Sequence, residues 1–457
     1  MRQRLEVAFV VLLFCMAIGS EGGARTNAWQ TSSECLSYHP TLASSLPALQ
    51  EGAVPIYVMK PYNLHLSLAG TSTGQLRVYD KNGVQITSGL SFLGYDSSLI
   101  SVSSTGLVTA LRAETSTEAG TWISAAVTGQ EVQNTTVVRV LSADYGIDFV
   151  ERVGKDSVIY SPLEIDGEDI DQYVEQYEML AVVDYAHEIQ QDLIHTIPFD
   201  GARQIYQVDF GEPDGPQRVC GINGNPVRLG WELISGPWAN CFLVPFIPPR
   251  SPQWFVITHE LGHNFSWMSW TFGNSIGGEF VYSEGVGSYL AMVAMRRICD
   301  ITHDYPVGQP AIDSLRGQRD NYTAKFMQSY TTWMINGAPF GDLDPNIVDA
   351  ILLNLQGADP DAFADRFFNI FKPELRPILQ PILDQVTNSD RRHTVFVAAC
   401  SSAAQQDLYD LFLNTYHYPL DTALYYDALD TMNGLPFSLF VDGFESGETS
   451  AWSSTVP

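Results

Sequence analysis

The chain has 457 residues, 45% hydrophobic and 17% charged, with no long low-complexity tract, so it can supply two or three domains and a sizeable core. Its 52 acidic residues against 24 basic ones leave a net charge of −28. That balance argues against nucleic acid, whose phosphates recruit Lys and Arg, and against an anionic membrane surface; it fits a soluble exported protein kept apart by self-repulsion.

Arg2 and Arg4 precede an unbroken apolar run of twelve residues, 7–18, and small residues follow through Ala24. The pattern predicts a secretory signal peptide over 1–24, too short for a mature membrane anchor. Phe14 stands before Cys15 where a lipoprotein signal wants a small residue, so no lipid anchor is expected. Export makes disulfides plausible for the remaining cysteines, Cys35, Cys220, Cys241, Cys299 and Cys400. The expected bridges are Cys220–Cys241, which closes a short Gly- and Pro-rich loop, and then Cys299–Cys400. Residues 25–52 are Ser-rich and aperiodic and read as a leader or linker.

Residues 53–142 have an all-β texture. Ile123, Ala125 and Val127 alternate with Ser124 and Ala126, and Asp80-Lys81-Asn82-Gly83 and Ser103-Ser104-Thr105-Gly106 are turn signals. Turns at this spacing predict a β-sandwich. The strings VYDKNGVQITSG, ISVSSTGLVTAL and WISAAVTG resemble a bacterial Ig-like domain of group 2. The resemblance implies a spacer or adhesive module.

From residue 143 the texture is mixed α/β, and then helices dominate to residue 437. Ile347, Ile351 and Leu355 repeat at helical spacing, as do Phe363, Phe367 and Ile370 after Asp359-Pro360. The tail, 438–457, is Gly- and Ser-rich. Its string DGFESGETSAWS resembles a short C-terminal tail of exported bacterial proteins, which implies a sorting tag and a secreted or cell-surface destination.

The chemistry lies in His259-Glu260-Leu261-Gly262-His263. Two His four apart on a helix share a face, so both imidazoles can reach one metal, while Glu260, about 100° round, can contact metal-bound water without being a ligand. Ser251-Pro252 predicts the helix start. Trp254, Ile257, Leu261 and Phe265 cluster on the side opposite the His pair. A catalytic zinc needs a third protein ligand. Ser266 and Ser269 stand where the three-histidine zincins carry Gly and His, which excludes that class. A carboxylate from a second helix is the alternative. Glu284, twenty-one residues after His263, opens an apolar helix reaching about Ile298.

Residues 250–298 resemble the gluzincin clan of metallopeptidases, in which such a helix is followed by a Glu ligand at similar distance. The resemblance implies an α+β zincin-like metallopeptidase domain over 143–437, with a mainly helical C-terminal half. It implies His259, His263 and Glu284 as ligands to Zn2+, Glu260 as general base, and a protein or peptide substrate. Glu279 competes for the third position, because His263-Asn264 with Trp270-Thr271 resembles enhancin-like peptidases. Tyr289, Tyr282 and His303 are candidates to stabilise the oxyanion, Tyr289 foremost. Gluzincin-like sites also hold substrate along a strand edge, for which residues 238–244 are the candidate. The alternative is an adhesion or binding protein whose metallo-helix is catalytically inactive.

Overall fold

Alternating apolar and polar residues punctuated by Gly turns give strands alone among the described residues as far as Leu141. The computed structural model describes residues 56–435 except 116–117, 119, 166–167, 212–220, 233–250, 269–279 and 302. The expected signal peptide, leader, tail, substrate strand at 238–244, Cys220–Cys241 bridge and competing ligand Glu279 lie outside the described residues.

The first part comprises β1 (Tyr57–Lys60), β2 (Asn63–Ser67), β3 (Thr73–Gln75), β4 (Arg77–Asp80), β5 (Gln85–Ile86), β6 (Leu90–Leu93), β7 (Ile100–Val102), β8 (Leu107–Ala110), β9 (Thr121–Val127), β10 (Gln130–Glu131) and β11 (Thr136–Leu141). They form sheets ordered β1-β4-β5, β3-β8-β7 and β10-β9-β11-β2, with β6 also on β9. The two expected turns are present. Asp80 accepts from the backbone of Asn82 and Val84, Ser103 accepts from Leu107, and Gly83 and Gly106 both take positive φ. Met59, Val78, Ile100, Val108, Ile123 and Val138 fill the shared core. Beside it the Arg139 guanidinium meets Glu114, both side chains 0% exposed, and Glu114 also accepts from Val140 N at 2.7 Å.

The second part opens with a five-stranded sheet, β12 (Phe149–Val153), β13 (Ser157–Pro162), β16 (Gln204–Gly211), β17 (Gly221–Ile222) and β18 (Val227–Glu232); a hairpin of β14 (Glu164–Ile165) and β15 (Glu168–Asp169) stands apart. Its order is β12-β13-β16-β18-β17, parallel through β13, β16 and β18 and antiparallel at both ends. Helices α1 (Ile170–Gln176) and α2 (Met179–Ile194) connect β13 to β16, as a parallel pairing requires.

Eight further α-helices follow: α3 (Trp254–Met268), α4 (Phe280–Asp300), α5 (Gln309–Ile335), α6 (Pro345–Leu355), α7 (Pro360–Asn369), α8 (Arg376–Leu383), α9 (Ser389–Ala404) and α10 (Thr422–Asn433) among the described residues. Asp344-Pro345 and Asp359-Pro360 start α6 and α7, each Asp side chain accepting from the backbone three residues on. Sheets thus fill the N-terminal half and helices dominate the C-terminal half, an arrangement compatible with several domains.

Two expectations are corrected. Helix α3 begins at Trp254, later than Ser251-Pro252 predicts. Its first turn is capped from another helix: Gln318 accepts from Phe255 N at 3.2 Å and donates to the Pro252 carbonyl. Cys299 and Cys400 are not bridged; both are buried free thiols, and Cys299 Sγ lies 3.6 Å from the Arg296 carbonyl.

Truncating Glu114 would strand a buried guanidinium. Glu114→Ala is expected to cost about 3–5 kcal/mol, read as an earlier chemical-denaturation transition of the β part.

Candidate metal centre

Helices α3 and α4 run antiparallel and touch through glycine. A Cβ on Gly262 would lie 2.7 Å from the Gly287 carbonyl oxygen, and one on Gly287 would lie 3.1 Å from the His263 ring. No larger residue fits either position without moving a helix or the imidazole. The close crossing sets Glu284 opposite His263 and Ser288 opposite His259.

The resulting geometry is tight. His259 Nε2 and His263 Nε2 are 3.0 Å apart, and the two carboxylate oxygens of Glu284 lie 3.3 and 3.4 Å from them. Three donors on a tetrahedral zinc at roughly 2.0–2.1 Å would stand about 3.3 Å from one another. The donor set and its spacing therefore fit such an ion. Among the described residues this is the group of His, Cys, Asp and Glu side chains that could hold a metal. The two His side chains are 5% exposed and that of Glu284 20%, so the cluster opens on one side.

Each neighbour has a physical role. Phe255 stacks on the His259 ring, and Ser288 Oγ lies 3.0 Å from His259 Nδ1. Asn264, next to His263, pairs with both backbone groups of Gly224, at 2.7 and 2.9 Å, and donates to Gln204. That clamp ties α3 to the loop before β18. Glu260 is buried against β17, where a Cβ on Gly221 would lie 2.3 Å from its Oε1. Only glycine leaves room for the carboxyl there.

The electrostatics are coupled. Burial raises the Glu260 carboxyl, partly offset by His259 and His263. Burial alone would raise Glu284 as well, but the charge of His263 and hydrogen bonds from both imidazoles hold it well below the usual range. Burial alone would lower His263, and the Glu284 carboxylate lifts it above its ordinary value.

The oxyanion candidates fare differently. Tyr289 points away from the cluster: its ring packs on Phe363, Phe367 and Phe368, and its hydroxyl donates to Gln356 at 3.4 Å. It stands one residue past Ser288, about 100° round α4, and so faces the helical core. Tyr282 is buried on His393, with 2.7 Å from its hydroxyl to Nδ1. His303 is largely exposed beside Asp304. The structure adds Ser288, Asn264 and Gly221 to the site. Ser288 was within reach of sequence reasoning, since it follows Glu284 by four residues on the same helix face.

No family model matches the chain. It is 32% identical over 124 residues to the cyanocobalamin reductase / alkylcobalamin dealkylase of Mus musculus, covering 25% of this chain and 44% of that protein. The protein of that name from Homo sapiens is 30% identical over 126 residues, with the same coverage. The chain spans less than half the length of these curated relatives. A solved structure of a functionally unknown conserved protein mutant from Bacillus anthracis str. Ames aligns with a TM-score of 0.36 at 11% identity, over 62% of this chain and 52% of that one.

Two outcomes are expected of the cluster itself. Gly262→Val should force α3 from α4, lowering zinc affinity more than tenfold by chelator competition and costing about 1–3 kcal/mol in stability. The metal-free His263–Glu284 pair stabilises the fold fully below the ordinary His value and loses that contribution as pH rises through the raised one. Metal uptake has the opposite demand, a neutral imidazole. Zinc binding should therefore weaken as pH falls through the raised His263 value, and titration calorimetry in two buffers of different ionisation enthalpy should show net proton release.

Proposed function

We propose that this chain is an exported zinc-dependent metallopeptidase of the gluzincin type, carried behind an Ig-like β-sandwich module. The observation that supports this reading most is the crossing of α3 and α4, with two imidazole nitrogens and one carboxylate 3.0–3.4 Å apart and Glu260 beside them. His259, His263 and Glu284 would hold the zinc. Zinc supplies Lewis acidity, making water a nucleophile near neutral pH and polarising a carbonyl.

The remaining steps belong to the chain. Glu260 accepts the proton of the attacking water and delivers it to the leaving amine, and its raised pKa suits a group that must hold a proton between those events. Strand β17 pairs with β18 on one side, and no second partner strand pairs with it among the described residues. An extended peptide laid along that edge would pass Glu260, which lies against Gly221. Tyr289 does not face this site: its hydroxyl donates to Gln356 and its ring lies within an aromatic cluster.

The partial similarity to two curated enzymes supports an enzymic role at the coarser level and favours a second reading, in which the substrate is a cobalamin. The decisive experiment is zinc content and casein cleavage of the purified protein, wild type beside Glu260→Gln and Glu284→Ala. Glu260→Gln is expected to keep stoichiometric zinc and lose at least a hundredfold in cleavage, and Glu284→Ala to lose both. A wild type that holds no zinc and cuts nothing sinks the peptidase reading. A cyanocobalamin titration followed by absorbance then tests the second.

A further inference from the structure

Residues 133–135, which join β10 to β11, leave the β part and meet the loop between β17 and β18. Asn225 on that loop is buried, and every hydrogen-bonding position of its side-chain amide is filled. Its Nδ2 donates to the Gln133 carbonyl of the β part at 3.0 Å and to the Arg203 carbonyl at 3.1 Å. Its Oδ1 accepts from Ile205 N at 2.9 Å and from Gln204 Nε2 at 3.4 Å. The Asn225 carbonyl accepts from Thr135 N at 2.9 Å. Turning the amide over would set donor against donor at Ile205 and acceptor against two carbonyls, so the network fixes its orientation. Gln204, also buried, carries the network onward: its Nε2 donates to the Gly224 carbonyl and its Oε1 accepts from Asn264 Nδ2 at 2.8 Å. Asn264 follows His263 on α3 and holds both backbone groups of Gly224. A second patch supports the docking. The Arg228 guanidinium lies 4.8 Å over the Trp122 ring, Lys60 pairs with Glu151 at 2.6 Å, and Tyr62 packs with Val158 and Ile205. Each of these contacts joins the β part to the five-stranded sheet.

We propose that Asn225 is a positioning residue through which the β part braces the metal centre, an inference that rests on the metal-centre reading above. Docking of residues 133–135 fixes Asn225. Asn225 and Gln204 fix Gly224, and Gly224 and Gln204 fix Asn264, and with it the tilt of the helix that carries both imidazoles. The same loop sets the β17–β18 hairpin, whose Gly221 lies against Glu260. Buried amides suit this task. Where there is little solvent, a lost partner leaves an unsatisfied group, so the members keep or lose their geometry together. The β part is thereby a wall of the site and not a spacer, and binding at one end is felt at the other.

The test is hydrogen exchange by mass spectrometry on the full chain, with and without saturating zinc, beside zinc affinity by chelator competition. In wild type, zinc is expected to slow exchange over residues 133–141 by about tenfold or more, together with α3 and α4, because an opening that frees the β part also loosens the ion. In Asn225→Ala the slowing should stay in α3 and α4 and vanish from 133–141, and zinc affinity should fall about fivefold or more, the reciprocal of the same coupling. A merely structural asparagine would lower the melting temperature and leave the zinc-dependent slowing of 133–141 in place. If Asn225→Ala does not fold, Trp122→Ala carries the same two readouts, since it loosens the docking from the β side without touching the amides. Slowing confined to α3 and α4 in wild type overturns the proposal. So does slowing over 133–141 that persists in the variant, or an affinity that falls less than about fivefold. A wild type that takes up no zinc ends the metal-centre reading and the brace with it.

Discussion

The candidate site depends on the glycine contact between α3 and α4. With Gly262 against the Gly287 backbone, two helices approach closely enough for a carboxylate on one to reach both imidazoles of the other. Packed helices with ordinary side chains at the crossing lie about 8–10 Å apart, and small residues are what shorten that distance. The same contact fixes rotation as well as distance. His263 lies over Gly287, so its ring can turn only where no Cβ obstructs it, and Nε2 is left facing Glu284. The glycines cost helix propensity, roughly 1 kcal/mol each, and the buried apolar residues around them offset that cost.

Helix α3 is also held from both flanks. Asn264 closes both backbone groups of Gly224 beside the sheet, and Gln190 of α2 donates to the Thr258 carbonyl. On the helical side Gln318 caps the first turn and Trp254 Nε1 donates to Ser314. The His pair therefore rides on an element with little freedom to tilt, as ligands need when their donors must stay within tenths of an ångström of a fixed geometry. The apolar residues that the helical wheel places opposite the His pair, Trp254, Ile257, Leu261 and Phe265, are all buried, but so is the His face. The helix lies inside the molecule, between sheet and bundle, and Glu284 is the most exposed of the three ligand side chains.

Much of this was legible in the sequence, and the reasons differ by feature. The turns at Asp80–Gly83 and Ser103–Gly106, the Asp-Pro starts of α6 and α7, and the His259–His263 pair are local signals written within a few residues, and Glu284 follows only twenty-one residues on. The failures are all long-range. Ser251-Pro252 has the chemistry of a helix start, but Gln318, some sixty residues on, supplies the cap later. Cys299 and Cys400 look like partners only by count, and each thiol is buried unbridged. Tyr289 sits on the right helix near the right residue, yet the direction of its ring is decided by Phe363, Phe367 and Phe368.

Taken together, the buried acids explain why such a site is coupled to stability. Glu260, Glu284 and Asp349 all act on a region with little solvent, and burial alone would raise all three. The imidazoles act on both Glu260 and Glu284, but only Glu284 of the three ends below its ordinary range. The repulsion left over is what a divalent cation would relieve, since it offers opposite charge to every member of the group at once. Metal affinity and folding would then be linked through the same few carboxyls.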